Sequence, residues 1–182
     1  MTIADVNQSQ LVIIDIQTKL CQVMQAEAMH AVIKNTGILL QAANQLQIPT
    51  VATEQYPQAL GETTPEVSQY FGGIKPIAKT AFSACTEPKF KAHCQRDKSH
   101  IMLVGLETHI CVLQTALDFI AQGKQVFVVE DAVISRNPLN KANAIARMRD
   151  ASCIITNTES VLFEWLGNAQ HEAFKALSKL IK

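Results

Sequence analysis

The chain has 182 residues, 48% of them apolar and 18% charged, and its formal net charge is zero. That length suits one domain with a sizeable core, residues 1–182, and the composition excludes a disordered chain. With no basic balance there is nothing to draw nucleic acid or an anionic membrane, and no run of about 18 apolar residues offers a bilayer span.

Local features agree with this. Lys89, Lys91, Arg96 and Lys98 are interleaved with acidic and apolar residues and read as a solvated helix face. The opening MTIADVNQSQ lacks a basic flank and a signal-like apolar stretch, so a cytoplasmic protein is expected. Five cysteines (Cys21, Cys85, Cys94, Cys111 and Cys153) are widely spaced, with no close pair of the metal or redox type. In a reducing compartment they are free thiols, most of them small core hydrophobes.

In chain order, 10–16 (QLVIIDI) is an apolar run broken by Asp15, which suits a parallel strand buried on both faces. Residues 26–46 carry Met29, Val32, Ile33, Leu39, Leu40 and Leu46 at helical spacing. A second strand follows at 49–53. The stretch 54–71, with Pro57, Gly61 and Pro65, reads as a long functional loop holding a helical turn. A third strand at 74–78 contains Pro76, which places it at a sheet edge. A helix over 86–94 has Thr86 as its N-cap, and 100–105 is the fourth strand. A helix over 108–122 ends at Gly123. The fifth strand is 125–130, a helix spans 139–150, the sixth strand is 152–157, and helices at 159–166 and 170–181 close the chain.

Short strands alternating with helices predict a three-layer α/β/α fold. Right-handed crossovers favour a doubly wound, mainly parallel sheet of about six strands, order 3-2-1-4-5-6. Ligands of such sheets bind beyond the carboxyl ends of the strands, where the order reverses. Asp15, Lys79 and Cys111 all fall at such ends. A carboxylate inside LVIIDI is costly to bury unless paired. Cys111 lies in the first turn of the helix after strand four, where the macrodipole and a nearby lysine lower a thiol pKa. Together the three read as base, electrostatic stabiliser and nucleophile. On that helix, Ile110, Leu113, Leu117 and Ile120 are spaced as a core face, with Cys111, Thr115 and Asp118 on a more polar stripe. His109 is two residues from Cys111 and cannot face it along a helix, so a structural or interface role is expected.

These residues resemble the isochorismatase-like hydrolase superfamily of cysteine hydrolases. The resemblance rests on VIIDIQ with Asp15, KTAFSA with Lys79 and GLETHICVLQTALDF with Cys111. TEQYP and TNTESVLFEWL look closest to its isochorismatase-domain-containing branch. The resemblance implies a six-stranded parallel sheet, an Asp–Lys–Cys triad, and a cis peptide at Leu106–Glu107 that helps aim backbone N–H groups at a substrate oxygen. It also implies a homo-oligomer, a dimer or larger. Nicotinamidases of this superfamily carry an Asp-x-His metal motif after strand two. Here that place reads Thr53, Glu54, Gln55, Tyr56, so no metal and no other cofactor is expected. The expected activity is metal-independent hydrolysis of an amide or related acyl group of a small molecule through a thioester, with Gln17, Tyr56 and Phe82 lining the pocket. The rival expectation is an interaction or scaffold protein that keeps the fold with a vestigial or redox-sensing cysteine. A catalytic Cys111 should alkylate fastest of the five thiols near neutral pH, and Asp15→Asn should slow it.

Overall fold

Six strands form one all-parallel sheet in the order 3-2-1-4-5-6. The computed structural model describes residues 3–181. In chain order the elements are β1 (Ser9–Ile14), α1 (Thr18–Cys21), α2 (Ala26–Gln45), β2 (Thr50–Gln55), α3 (Pro57–Leu60), α4 (Pro65–Ser68), β3 (Ile77–Lys79), α5 (Pro88–His93), β4 (His100–Leu106), α6 (Leu113–Ala121), β5 (Gln125–Ile134), α7 (Pro138–Asp150), β6 (Ile154–Thr156), α8 (Thr158–Leu166) and α9 (Phe174–Leu177).

The period-two geometry of a strand divides β1 between two cores. Leu11 and Ile13 join one cluster with Met102, Val104, Phe127 and Val129, under α2 and α8. Val12 and Ile14 join the other with Ile101, Leu103, Val126 and Val128, under α6 and α7. All six residues of β1 are buried, which is why Leu11–Ile14 is an unbroken apolar run instead of alternating. Each such aliphatic side chain contributes roughly 1.5–3 kcal/mol on burial, an upper figure. Trp165 on α8 pins this layer by donating from Nε1 to Ser9 Oγ at 2.9 Å.

Several boundaries differ from expectation, each for a physical reason. β3 is confined to Ile77–Lys79 and pairs only with β2 at the sheet edge. Pro76 lies just before it, outside the ladder it could not join. Thr86 ends a 3₁₀ turn capped by Ser83, and α5 begins at Pro88 with Glu87 as its N-cap. Between β4 and α6 the chain makes a π-helical turn, Thr108–Val112, in which Val112 N–H reaches Glu107 C=O at 3.3 Å. Such turns are rare and recur at functional sites. β5 runs to Ile134 because it makes a detour: Leu103 pairs with Val128, and Gly105 with Val133. The C-terminal helix expected over 170–181 is only α9 followed by a 3₁₀ turn at Ser178–Ile181.

The inward face of α6 is also different. Leu113 is buried, but Ile110, Leu117 and Ile120 are only partly so. Val112, Ala116 and Phe119 form the core side. The polar stripe meets the segment after β3: Thr115 Oγ1 accepts from Ala84 N–H at 3.0 Å, and Asp118 Oδ2 accepts from Ser83 Oγ at 2.5 Å.

The cis bond expected at Leu106–Glu107 is absent, and no described peptide is cis. Leu106 stays in the ladder opposite Ile134, and Glu107 continues extended at φ −80 and ψ 142. Gly105, at φ +120, supplies the bend through a conformation open mainly to glycine. A non-proline cis bond costs roughly 2.5–4 kcal/mol, and the chain turns here without one.

Candidate active site

Asp15 leaves the end of β1 at φ +51, a left-handed conformation that Asp tolerates better than most residues. It is fully buried. Its Oδ1 accepts from Thr53 Oγ1 at 2.7 Å, and its Oδ2 lies 2.7 Å from Lys79 Nζ. Gly105 stands opposite Ile14 in the β1–β4 ladder. A Cβ placed there would come within 2.0 Å of Ile14 O, so only glycine lets the two central strands approach this closely.

Lys79 ends β3 and is also buried. Its stem spans β2, and its ammonium donates to Gln55 Oε1 at 2.6 Å, Phe82 O at 3.1 Å and Ala81 O at 3.3 Å. These contacts replace the water the ammonium loses, as a buried charge requires.

Cys111 is 6% exposed in the π turn. Its Sγ lies 3.9 Å from Gln55 Oε1. Burial first, and then the Asp15 charge, push the thiol up to about 12, with Lys79 pulling the other way. The expected depression is therefore not found: desolvation of the anion and the Asp15 charge outweigh the lysine. The resting group is a thiol.

Cys111 opens onto a cavity of about 140 Å³ lined by Leu20, Gln55, Leu60, Phe82, Leu106, Glu107, Ile110 and Cys111. Of the three expected pocket residues, Phe82 is in this lining and 53% exposed. Tyr56, equally exposed, borders a different hollow with Pro57, Thr80 and Glu87. Gln17 is fully buried. It clamps the end of β2, accepting from Gln55 N–H at 2.7 Å and donating to Gln55 O at 3.0 Å and Gly61 O at 2.6 Å. Glu107 takes Arg136 N–H at 2.9 Å and Nε at 3.2 Å on one oxygen, tying the turn to the end of β5. His109 bonds Ser135 Oγ at 2.9 Å through Nδ1, a structural contact. Among the described residues, no group of three or more His, Cys, Asp or Glu is placed to hold a metal ion, and no helix is long and apolar enough to cross a membrane.

A family model described as "Isochorismatase domain" matches residues 9–160. The chain belongs to the isochorismatase family. Isochorismatase domain-containing protein 2 of Bos taurus is 36% identical over 174 residues, covering 96% of this chain and 83% of that protein. A solved structure named MAR1 ribonuclease, from Caenorhabditis elegans, is 35% identical with a TM-score of 0.93, covering 99% of this chain and 92% of its own. The YcaC product of Escherichia coli, described as an octameric hydrolase of unknown specificity, superposes with a TM-score of 0.90 at 23% identity, covering 100% and 90%. At that identity the likeness concerns the fold. Members of the isochorismatase-like superfamily are generally hydrolases.

Within this isochorismatase fold the residue that sequence reasoning missed is Gln55. It follows Thr53 and Glu54 at the end of β2 and touches both Lys79 and Cys111. An uncharged side chain at a strand end carries no desolvation signal to betray it.

Proposed function

We propose that the protein is a metal-independent cysteine hydrolase acting on an amide or related acyl group of a small molecule, with Asp15, Lys79 and Cys111 as its triad. The buried Asp15–Lys79 pair beside the Cys111 thiol carries this reading. Two charges held out of water beside a sulfur are costly to maintain for stability alone.

In this scheme Asp15 takes the thiol proton as sulfur attacks the carbonyl carbon. A thiol at about 12 is a poor nucleophile at neutral pH, so the base is required at the moment of attack. The developing oxyanion is met by Lys79 and the Cys111 N–H, because the Ile110 and Val112 N–H groups already bond Glu107 O. One such donor is typically worth 10²–10³-fold in rate. The proton passes from Asp15 to the leaving nitrogen, and water then hydrolyses the thioester with Asp15 again as base. Nothing in this sequence calls for a cofactor.

Nucleic acid is disfavoured as substrate by the zero net charge and by a cavity of about 140 Å³, well below the roughly 300–1,000 Å³ usual for drug-sized ligands. The rival scaffold reading draws on one observation, the raised thiol pKa. Homo-oligomerisation is part of the proposal. The partly exposed Ile110, Leu117 and Ile120 stripe of the π turn and α6 is a candidate contact face.

The test is a panel of small amides and esters with mass spectrometry of the intact chain. An acyl adduct on Cys111, with turnover abolished in a folded Cys111→Ala protein, supports the hydrolase. Undiminished turnover in Cys111→Ala sinks it, and a thiol that neither acylates nor turns over any member of the panel favours the scaffold.

A further inference from the structure

Gln55 shares the cavity with Cys111 and has no part in the chemistry above. Its amide orientation is fixed at both ends: Nε2 donates to Thr80 O at 2.8 Å and Oε1 accepts from Lys79 Nζ at 2.6 Å. Flipped, the NH₂ would face an ammonium and the oxygen would face a carbonyl, losing both bonds. The backbone is held as well, by both ends of the Gln17 amide. The group presented to the sulfur, at 3.9 Å, is therefore an acceptor.

A carbonyl oxygen has two lone pairs. Lys79 occupies one. The other faces the resting thiol and is freed when the thiol proton moves to Asp15. A spare acceptor beside the attacking sulfur matches a substrate that carries a hydrogen-bond donor next to its carbonyl carbon. An amide N–H meets it. An ester oxygen sets lone pair against lone pair, and a dialkylated nitrogen offers no hydrogen. Sites built to bond a substrate N–H reject the analogue lacking it far more sharply than apolar walls reject a methylene. The remaining walls are the apolar Leu20, Leu60, Phe82, Leu106 and Ile110 together with Glu107, whose carboxylate is bonded to Arg136, and they enclose little space.

We infer that Gln55 determines the specificity of this site, and that the substrate it selects is the primary amide of a short, apolar carboxylic acid. The inference rests on the cysteine-hydrolase reading. The reaction balances as amide plus water giving acid plus ammonia. The S–C bond forms as the thiol proton passes to Asp15, and the C–N bond breaks as that proton passes to nitrogen. Water then adds to the thioester carbon, and the sulfur leaves with the proton that Asp15 took from the water. Gln55 accepts from the amide N–H throughout and exchanges no proton.

The test compares butanamide with methyl butanoate as substrates of wild type, Gln55→Leu and Gln55→Glu, each checked for a cooperative unfolding transition. The expected result is that Gln55→Leu, which also removes an acceptor of Lys79, lowers kcat/KM for the amide roughly tenfold or more beyond what it loses on the ester, the equivalent of about one net hydrogen bond. Gln55→Glu, which keeps an acceptor toward both Lys79 and the substrate nitrogen, retains the amide preference. Equal losses on both substrates in Gln55→Leu, or a wild type that cleaves only the ester, overturn the inference and leave the hydrolase standing. A wild type inert to both, with no acyl adduct on Cys111, overturns the hydrolase reading and the inference with it.

Discussion

Lys79 Nζ lies 2.7 Å from Asp15 Oδ2 with both side chains sealed from solvent, although a whole strand, β2, separates the strands that carry them. Removing one partner of such a pair leaves an uncompensated buried charge. Lys79→Met is expected to cost about 3–5 kcal/mol, read as a lowered urea midpoint. The double substitution Asp15→Asn, Lys79→Met should be less destabilised than Lys79→Met alone. A Lys79→Met protein as stable as wild type would contradict a buried ion pair.

The same pair sets the thiol. Asp15 raises the Cys111 pKa and Lys79 lowers it. Asp15→Asn is therefore expected to increase the thiolate fraction and speed alkylation by iodoacetamide at pH 8, while turnover is lost with the base. This reverses the expectation from sequence, where Asp15 was counted as the base that speeds reaction of a thiol already lowered by a lysine and a helix terminus. Slower alkylation in a folded Asp15→Asn chain would show that Asp15 does not bear on the thiol as described.

Alkaline pH offers a global check. Burial is the first cause in every thiol: Cys21 and Cys153 are pushed from 9.0 to about 11, and Cys85, Cys94 and Cys111 to about 12. The folded chain holds these protons more tightly than the unfolded one. Their stabilising effect is complete below about pH 9 and is lost as pH rises from 9 towards 12. The urea midpoint should stay level in this respect up to about pH 9 and then fall, less steeply in Cys153→Ala. A midpoint unchanged at pH 11 would rule out the burial of these thiols.

Gly105→Ala probes the junction of β1 and β4. The new Cβ would meet Ile14 O at 2.0 Å, at a φ of +120. Backbone strain alone costs about 1–3 kcal/mol, and relief of the clash must displace Ile14 and, with it, Asp15. A lowered thermal midpoint and loss of turnover are expected together. A Gly105→Ala chain with wild-type stability would mean the strands are not so close.

Much of this was legible in the sequence. The strand order followed from short apolar runs between helices, because right-handed crossovers leave few alternatives. Asp15 was visible because a carboxylate inside LVIIDI needs a partner. What could not be read came from three dimensions. Gln55 gave no sign, since a neutral amide at a strand end resembles any solvent-facing one. Gln17 was placed in the pocket, yet its amide belongs to the backbone of β2. The thiol pKa was misjudged because a helix terminus is visible in sequence and desolvation is not. The face of α6 was misjudged because the π turn before it shifts the register on which a uniform 3.6-residue period depends.

The pairing of Ile14 with Gly105 has a consequence for how this architecture can diversify. The candidate base follows β1 directly and the candidate nucleophile lies in the π turn after β4, so this rung of the ladder sets the two strands that carry them against each other. Leu20 and Leu60, which shape the cavity, come from α1 and α3 outside the sheet. Substitutions or insertions in those peripheral segments can reshape what enters while leaving the reacting atoms in place. Grafting 57–71 between relatives, which leaves Gln55 in place, is thus a natural way to exchange substrate preference.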